Sequence, residues 1–251
     1  MFNFFAEKNA RVGEYINITG SDYNHIKNVL RMKTGERFLV SLENSSHLCE
    51  LESFSSDFLT VKIIEENFQN TELPIEIHLF QGLPKGDKLE QIIKQSVELG
   101  VHRIIPTEMT NCVVKLEEKK KVSKTARWQT IAESAAKQSK RSIVPTIELP
   151  LSFKKALEEA EKLDLILVPY ECKEGMLTTT NALNEIKSGM KVGIFIGSEG
   201  GFTEKEIELC NQVGGKIISL GKRILRTETA AITAVGMCML YVEMNLGENN
   251  D

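Results

Sequence analysis

From Ile75 onward short apolar runs alternate with amphipathic ones, and this rhythm limits the fold more than any other feature of the chain. The runs "IEIHLF", "VHRIIP", "DLILVPY", "KVGIFIG" and "KIISLG" are apolar along most of their length. Such strands are buried on both faces, as in a parallel sheet covered by helices. Helical periods lie between them: "DKLEQIIKQSVELG" with Gly100 as its stop, "TARWQTIAESAAKQS", "SFKKALEEAEKL", "TTTNALNEIKS" and "TEKEIELCNQVG". A long last helix is expected through "TETAAITAVGMCMLYVEM". Strands and helices in alternation predict an α/β domain with a mainly parallel sheet over residues 71–251.

Residues 1–70 follow another pattern. "RFLVSL", "HLCELESF" and "FLTVKII" are short runs rich in β-forming residues, separated by "KTGE", "ENSS" and "SSD". They predict a small antiparallel barrel or sheet. One helix, "SDYNHIKNVLR", precedes them, with Ser21 or Asp22 as its expected cap. "NFQNTELP" reads as a polar linker ending at Pro74.

Composition removes several function classes. The chain has 251 residues, 26% charged and 41% hydrophobic, which suits one or two globular domains. With a net charge of −4 it is no bulk polyanion binder, so contact with nucleic acid must rest on a local patch. Its five cysteines form no CxxC pair, its four histidines have no metal spacing, and no metal site is expected. Scattered cysteines suggest reduced thiols and a cytoplasmic protein. Glu7 and Lys8 break the N-terminal apolar run, so no signal peptide is expected. No uninterrupted apolar run approaches about 18 residues, so no membrane span is expected.

Three segments carry candidate chemistry. In "IGSEGGFTEKEI" a strand ends at Gly197, and Thr203 with Glu206 forms a capping box for the next helix. The glycine loop thus joins a strand's carboxyl end to a helix's amino end, where ligands bind in open parallel sheets. A tight turn needing positive φ explains the glycines equally well. In "SLGKRILRTETAA" a second loop leads to Thr227, an expected cap, and to a helix carrying Ala230, Ala231, Ala234 and Gly236. Tight core packing accounts for the small residues, but Arg226 and Glu228 beside them need partners or a task. "VPYE" continues past a third strand at Val168. The glycine spacing is neither a dinucleotide fingerprint nor a P-loop, and no nucleophile elbow occurs. Between Lys115 and Arg141 nine basic residues stand against three acidic ones. A solvated helix face or an RNA phosphate surface would account for them.

Together these stretches resemble the RsmE-type methyltransferases of small-subunit ribosomal RNA, within the SPOUT superfamily. The resemblance covers nearly the whole chain. It is carried by "HIKNVLRMKTGE", "QGLPKGDKLEQIIKQSVELGVHRIIP", "RWQTIAESAAKQSKRSIVP", "IGSEGGFTEKEI" and "SLGKRILRTETAA", in that order. It implies an N-terminal PUA-like β-barrel (1–70) that binds RNA and a C-terminal SPOUT domain (71–251) with a trefoil knot. It implies a homodimer with active sites at its interface, no membrane, and no metal. It implies S-adenosylmethionine as methyl donor and N3 of a uridine in 16S ribosomal RNA as acceptor. The alternatives are a 2′-O-ribose methyltransferase of the same superfamily or a non-catalytic RNA-binding or ribosome-assembly protein.

The donor site implied for this chain takes Val168, Tyr170 and Glu171 from one loop. Ile196, Gly197, Glu199 and Gly200 come from the second, and Leu220, Gly221, Ile224, Leu225, Thr227 and Ala230 from the third. Arg226 and Glu199 are the candidate catalytic residues. Arg31, Lys85, Lys121, Lys124 and Arg141 are the candidate RNA contacts. Three positions depart from the family pattern: Ser198 where proline is usual, Lys140 where glycine is common, and "ENSS", which lacks a common glycine.

Overall fold

The computed structural model describes residues 1–170 and 175–246. It divides into two compact units. The first comprises Met1–Glu72 with Ala136–Val144; the second comprises Leu73–Ala135 and the chain from Pro145 on.

In the first unit the strands are β1 (Asn3–Phe5), β2 (Arg11–Val12), β3 (Tyr15–Thr19), β4 (Arg37–Leu42), β5 (Ser45–Phe54) and β6 (Phe58–Gln69). They form one sheet in the order β1-β4-β5-β6-β3-β2. All its pairings are antiparallel except β1 with β4. Helix α1 (Gly20–Asn24) follows β3 and runs on into a π-helical turn, His25–Leu30, that ends on Arg31 at φ 53°. The helix starts from Thr19 without a side-chain cap, so neither Ser21 nor Asp22 caps it. The core holds Phe4, Phe38, Ile16, Ile26, Leu51 and Leu59. The Phe4 and Phe38 rings meet edge-to-face at 5.3 Å.

The piece 136–144 is bonded into this unit by Arg141. Arg141 is buried. Its guanidinium grips Glu72, and its carbonyl accepts hydrogen bonds from Asn3 Nδ2 (2.9 Å) and Ser41 Oγ (3.2 Å). Glu72 also accepts from the amides of Ser142 and Ile143. A buried charge demands such a complete set of partners.

The second unit runs β7 (Glu76–Gly82), α2 (Lys88–Glu98), β8 (Val101–Glu108), α3 (Glu118–Gln138), β9 (Thr146–Ile147), β10 (Leu151–Ser152) and α4 (Phe153–Ala160). Then come β11 (Leu165–Pro169), α5 (Met176–Leu183), β12 (Lys191–Ile196), α6 (Glu204–Gln212), β13 (Lys216–Ile218) and α7 (Thr227–Leu246). The last three residues of α3 belong to the first unit. The strands make one sheet in the order β10-β8-β7-β12-β11-β13, with β9 also on β8. Every pairing in it is parallel. Strands read as continuously apolar are indeed buried: Ile77, Leu79, Ile104, Leu167, Val192 and Ile194 are fully enclosed. Phe80 stacks on Phe195 at 4.4 Å, and Phe153 meets Phe195 edge-on.

α7 has the length and apolar composition of a membrane span. No uninterrupted apolar run announces it, because Thr233 and Gly236 interrupt the segment. Here α7 packs along α2 and against β7 and β12, burying Ala231, Ala234, Val235, Cys238 and Val242. Cys49, Cys112, Cys210 and Cys238 are buried free thiols. Burial pushes Cys49, Cys210 and Cys238 up to about 12, so they pack rather than react.

Candidate active site

Because the strands are parallel, the loops after β7, β11, β12 and β13 leave the sheet on one edge. The sheet order sets β12 between β7 and β11, and β13 beside β11. These four connections, separate in sequence, therefore leave the sheet as neighbours. Around them lie two adjoining cavities, of about 650 and 580 Å³. Each is large enough for a small organic ligand. Pro169, Tyr170, Gly201, Ile224, Leu225 and Ala230 line both.

The glycine loop has a defined shape. Thr203 and Glu206 form the expected capping box at the start of α6. Glu206 is buried, and its carboxylate also accepts from the amide (2.9 Å) and hydroxyl of Thr110. Burial alone would raise its pKa, but these hydrogen bonds hold it below the usual value. Asn111 donates to the Gly200 carbonyl at 2.9 Å. A Cβ on Gly200 would lie 2.6 Å from that of Asn111, so close packing requires this glycine. Gly201 is at φ +64°. Ser198 is buried; its hydroxyl donates to the Asn111 carbonyl (3.3 Å) and accepts from the Gly200 amide (3.4 Å). Ser198 thus fixes the loop by hydrogen bonds.

Thr227 does not cap α7 as expected. Its buried hydroxyl donates to the Gly197 carbonyl at 2.5 Å and accepts from Gln81 Nε2 at 2.9 Å. That chain of bonds ties the end of β7, the glycine loop and the start of α7. Gly82 allows the same approach: a Cβ there would sit 2.6 Å from the Ser198 amide nitrogen. The third loop is held from α5, where Thr179 Oγ1 donates to the Ser219 carbonyl (2.7 Å) and accepts from its amide (3.0 Å).

The charged groups sit at the larger cavity. Glu199 Oε1 accepts from Lys88 Nζ at 2.9 Å and from the Lys85 amide at 3.1 Å. Burial pushes the Glu199 pKa up, but Lys88 and the backbone amides of Glu199 and Lys85 outweigh it and keep the carboxylate ionised. Arg226 lines this cavity with an exposed side chain. Tyr170, also at this cavity, meets Phe202 edge-to-face at 6.3 Å.

The larger cavity collects Tyr170, Ile196, Gly197, Glu199, Gly200 and Ile224 of the sequence candidates, with Leu225, Arg226, Thr227 and Ala230. The smaller adds Leu220 and Gly221. Val168 is fully buried and lines neither. Glu171 lies outside the described residues. Sequence reasoning missed Lys88, Pro169, Gly201, Phe202 and Met176 as lining residues. Lys88 carried only a weak signal, a cation beside a strand-to-helix loop. Glycine backbone, aromatic faces and an ionised carboxylate suit a nucleoside that bears a cation. Among the described residues no group of three His, Cys, Asp or Glu could hold a metal.

The RNA candidates differ in exposure and pairing. Arg31, Lys85 and Lys124 are exposed. Lys121 pairs with Glu108 and Glu118, both at 3.0 Å, and Arg141 is buried on Glu72. Of the basic run, Arg127 pairs with Glu90 at 2.8 Å and Lys137 with Asp22 at 2.7 Å.

Comparison with known proteins gives the architecture a family. A family model described as an RNA methyltransferase domain matches residues 71–239, and one described as an RNA methyltransferase PUA domain matches residues 18–64. The ribosomal RNA small subunit methyltransferase E of Bacillus subtilis (strain 168) is 40% identical over 235 residues, 92% of each chain. The structure of the enzyme of that name from Neisseria gonorrhoeae, bound to S-adenosyl methionine, matches with TM-score 0.79 and 29% identity. The match covers 96% of this chain and 97% of that one. A putative methyltransferase from Legionella pneumophila, in complex with bound SAM, matches with TM-score 0.80 and 29% identity over 95% and 97% of the two chains. An α/β unit with a parallel sheet, a PUA-type unit before it, and relatives alike over nearly their full length lead to one conclusion: the chain belongs to the ribosomal RNA small subunit methyltransferase E family.

Proposed function

We propose that this chain transfers the methyl group of S-adenosylmethionine to N3 of a uridine in 16S ribosomal RNA. The observation that carries this reading is the cavity at the carboxyl edge of the parallel sheet. There a glycine loop, an ionised Glu199 and an exposed Arg226 face one space. The names of the relatives support ribosomal RNA of the small subunit as the substrate.

When bound, S-adenosylmethionine supplies an electrophilic methyl group on a sulfonium. The uracil N3–C bond forms as the C–S bond breaks; the N3 proton passes to solvent water, and a neutral thioether leaves. The chain's own residues hold and orient. The glycine loop and Leu220, Gly221, Ile224 and Leu225 enclose the donor, and Tyr170 with Phe202 gives it an aromatic wall. Orientation of this kind supplies much of the rate in a displacement. Arg226 stabilises negative charge growing on the uracil oxygens. Glu199, held ionised by Lys88 and two amides, is a weak base and positions the donor's positive charge instead.

Residues 1–70 and the exposed cations Arg31, Lys85 and Lys124 hold RNA by its phosphates. Lys121 and Arg141 contribute only through their field, because carboxylates occupy their heads. A homodimer, the trefoil knot and a cytoplasmic location belong to the same proposal. Ile224 stands fully in solvent on the cavity lining, with an exposed Met176 on the same lining, which supports a second protomer covering them. Titration calorimetry with S-adenosylmethionine tests the donor site. Saturable one-to-one binding is expected, and a chain that binds no donor contradicts the proposal in favour of a non-catalytic RNA-binding protein.

A further inference from the structure

One lysine serves two carboxylates at the wall of the larger cavity. Lys88 is the first residue of α2, and Glu228 lies in the first turn of α7. The Lys88 ammonium is 2.9 Å from Glu199 Oε1 and 3.6 Å from Glu228 Oε2. The Glu228 side chain is 15% exposed, and its Oε2 has no hydrogen-bond partner. Glu199 is better served, with Lys88 and the Lys85 amide on one oxygen. Two carboxylates thus share one ammonium, and the less exposed of them is the less satisfied. A carboxylate taken from water is costly until it is paired and hydrogen-bonded. Arg226 does not close the balance, since no ion pair joins it to either carboxylate and its exposed head is screened by solvent. The cluster is short of one cation, and Glu199, not Glu228, lines the cavity.

Resting on the donor role proposed for this cavity, we propose that Lys88, Glu199 and Glu228 form a charge-sensing cluster that favours the sulfonium donor over its neutral thioether product. With a sulfonium beside Glu199, Lys88 moves onto Glu228 and both carboxylates are paired. With the thioether there, Lys88 returns to Glu199 and Glu228 loses its partner. The product is therefore held less firmly than the donor, and methyl transfer itself triggers its release. Lys88 acts through Glu199 and is a positioning residue. Both its salt bridges span more than 100 residues of sequence, joining the starts of α2 and α7 to the glycine loop.

Calorimetric titration with S-adenosylmethionine and, separately, S-adenosylhomocysteine tests the cluster in the full chain. The wild type is expected to prefer the sulfonium at least about tenfold, or ~1.4 kcal/mol. Glu199→Gln should remove most of that preference while thioether affinity stays within about twofold. Glu228→Gln should also lower the preference, because Lys88 then stays on Glu199. Lys88→Met should raise it, and Lys88→Arg should restore the wild-type ratio. Thioether binding by each variant reports an intact fold. A ratio that none of these variants moves overturns the cluster while leaving the donor site standing. A wild type that binds neither probe overturns the proposed function itself.

Discussion

Arg226 ends the third loop with its guanidinium exposed at the cavity, one residue before the hydroxyl of Thr227 that anchors the glycine loop. Its side chain can go without disturbing that anchor. Arg226→Ala should bind S-adenosylmethionine as the wild type does, yet methylate about 100-fold more slowly in a single turnover, the effect of removing one charge-stabilising donor. An unchanged single-turnover rate would end the assignment. At this scale the sequence showed which residues stood out but not what they bond to. Glu228 stood out as a charge in need of a partner, and that partner is Lys88, 140 residues earlier and beyond any local pattern. Thr227 had the composition of a cap, but its hydroxyl is spent across the sheet edge on Gly197 and Gln81. Arg141 sat in a basic run that suggested phosphate, and only the fold shows that Glu72 takes it.

Among the elements, those with strong periods and local caps were legible. The buried strands and the capping box of α6 follow from nearest neighbours in sequence. The two-residue strands β9 and β10 carry no period at all and exist only because β8 offers them an edge. α3 begins at Glu118, well before "TARWQT", since a lysine-rich first turn has no apolar face to announce it. Two of the positions where the resemblance leads one to expect glycine fall where the backbone turns left-handed. Glu43 and Asn44 hold φ 49° and 65° in the β4–β5 hairpin, and Lys140 holds φ 59° just after α3. A side chain at such a position costs about 1–2 kcal/mol, of which glycine recovers part. Lys140→Gly should therefore raise unfolding stability by up to about 1 kcal/mol in urea denaturation. A loss of stability would show that the Lys140 side chain contributes more than its backbone costs.

For the whole molecule, stability should depend on pH through groups far from the cavity. His78 is buried on β7, where it stacks on His102 at 5.9 Å and faces Glu76 (3.2 Å), with Lys191 and Arg103 close by. Burial lowers its pKa, and the attraction of Glu76 does not compensate. The unfolded chain takes up a proton near pH 6.5 while the folded chain still refuses it. The contribution of His78 is thus complete above pH 6.5 and is lost as pH falls through its lower folded value. Urea midpoints should drop between pH 7.5 and 5.5, and His78→Asn should drop less; equal drops would remove His78 as the cause. The division into an antiparallel sheet and a parallel α/β unit was legible from rhythm alone. The order of strands was not, and that order brings the loops after Pro169, Ile196 and Ile218 together. The return of residues 136–144 to the first unit was hidden too, because it depends on the buried Glu72–Arg141 pair. The most direct test of the proposed reaction is to incubate the protein with S-adenosylmethionine and small-subunit ribosomal RNA, free or assembled, and locate the new methyl group by nucleoside mass spectrometry. A single uridine methylated at N3 is expected; a methyl group on a ribose 2′-oxygen, or none on either form of the RNA, would contradict it.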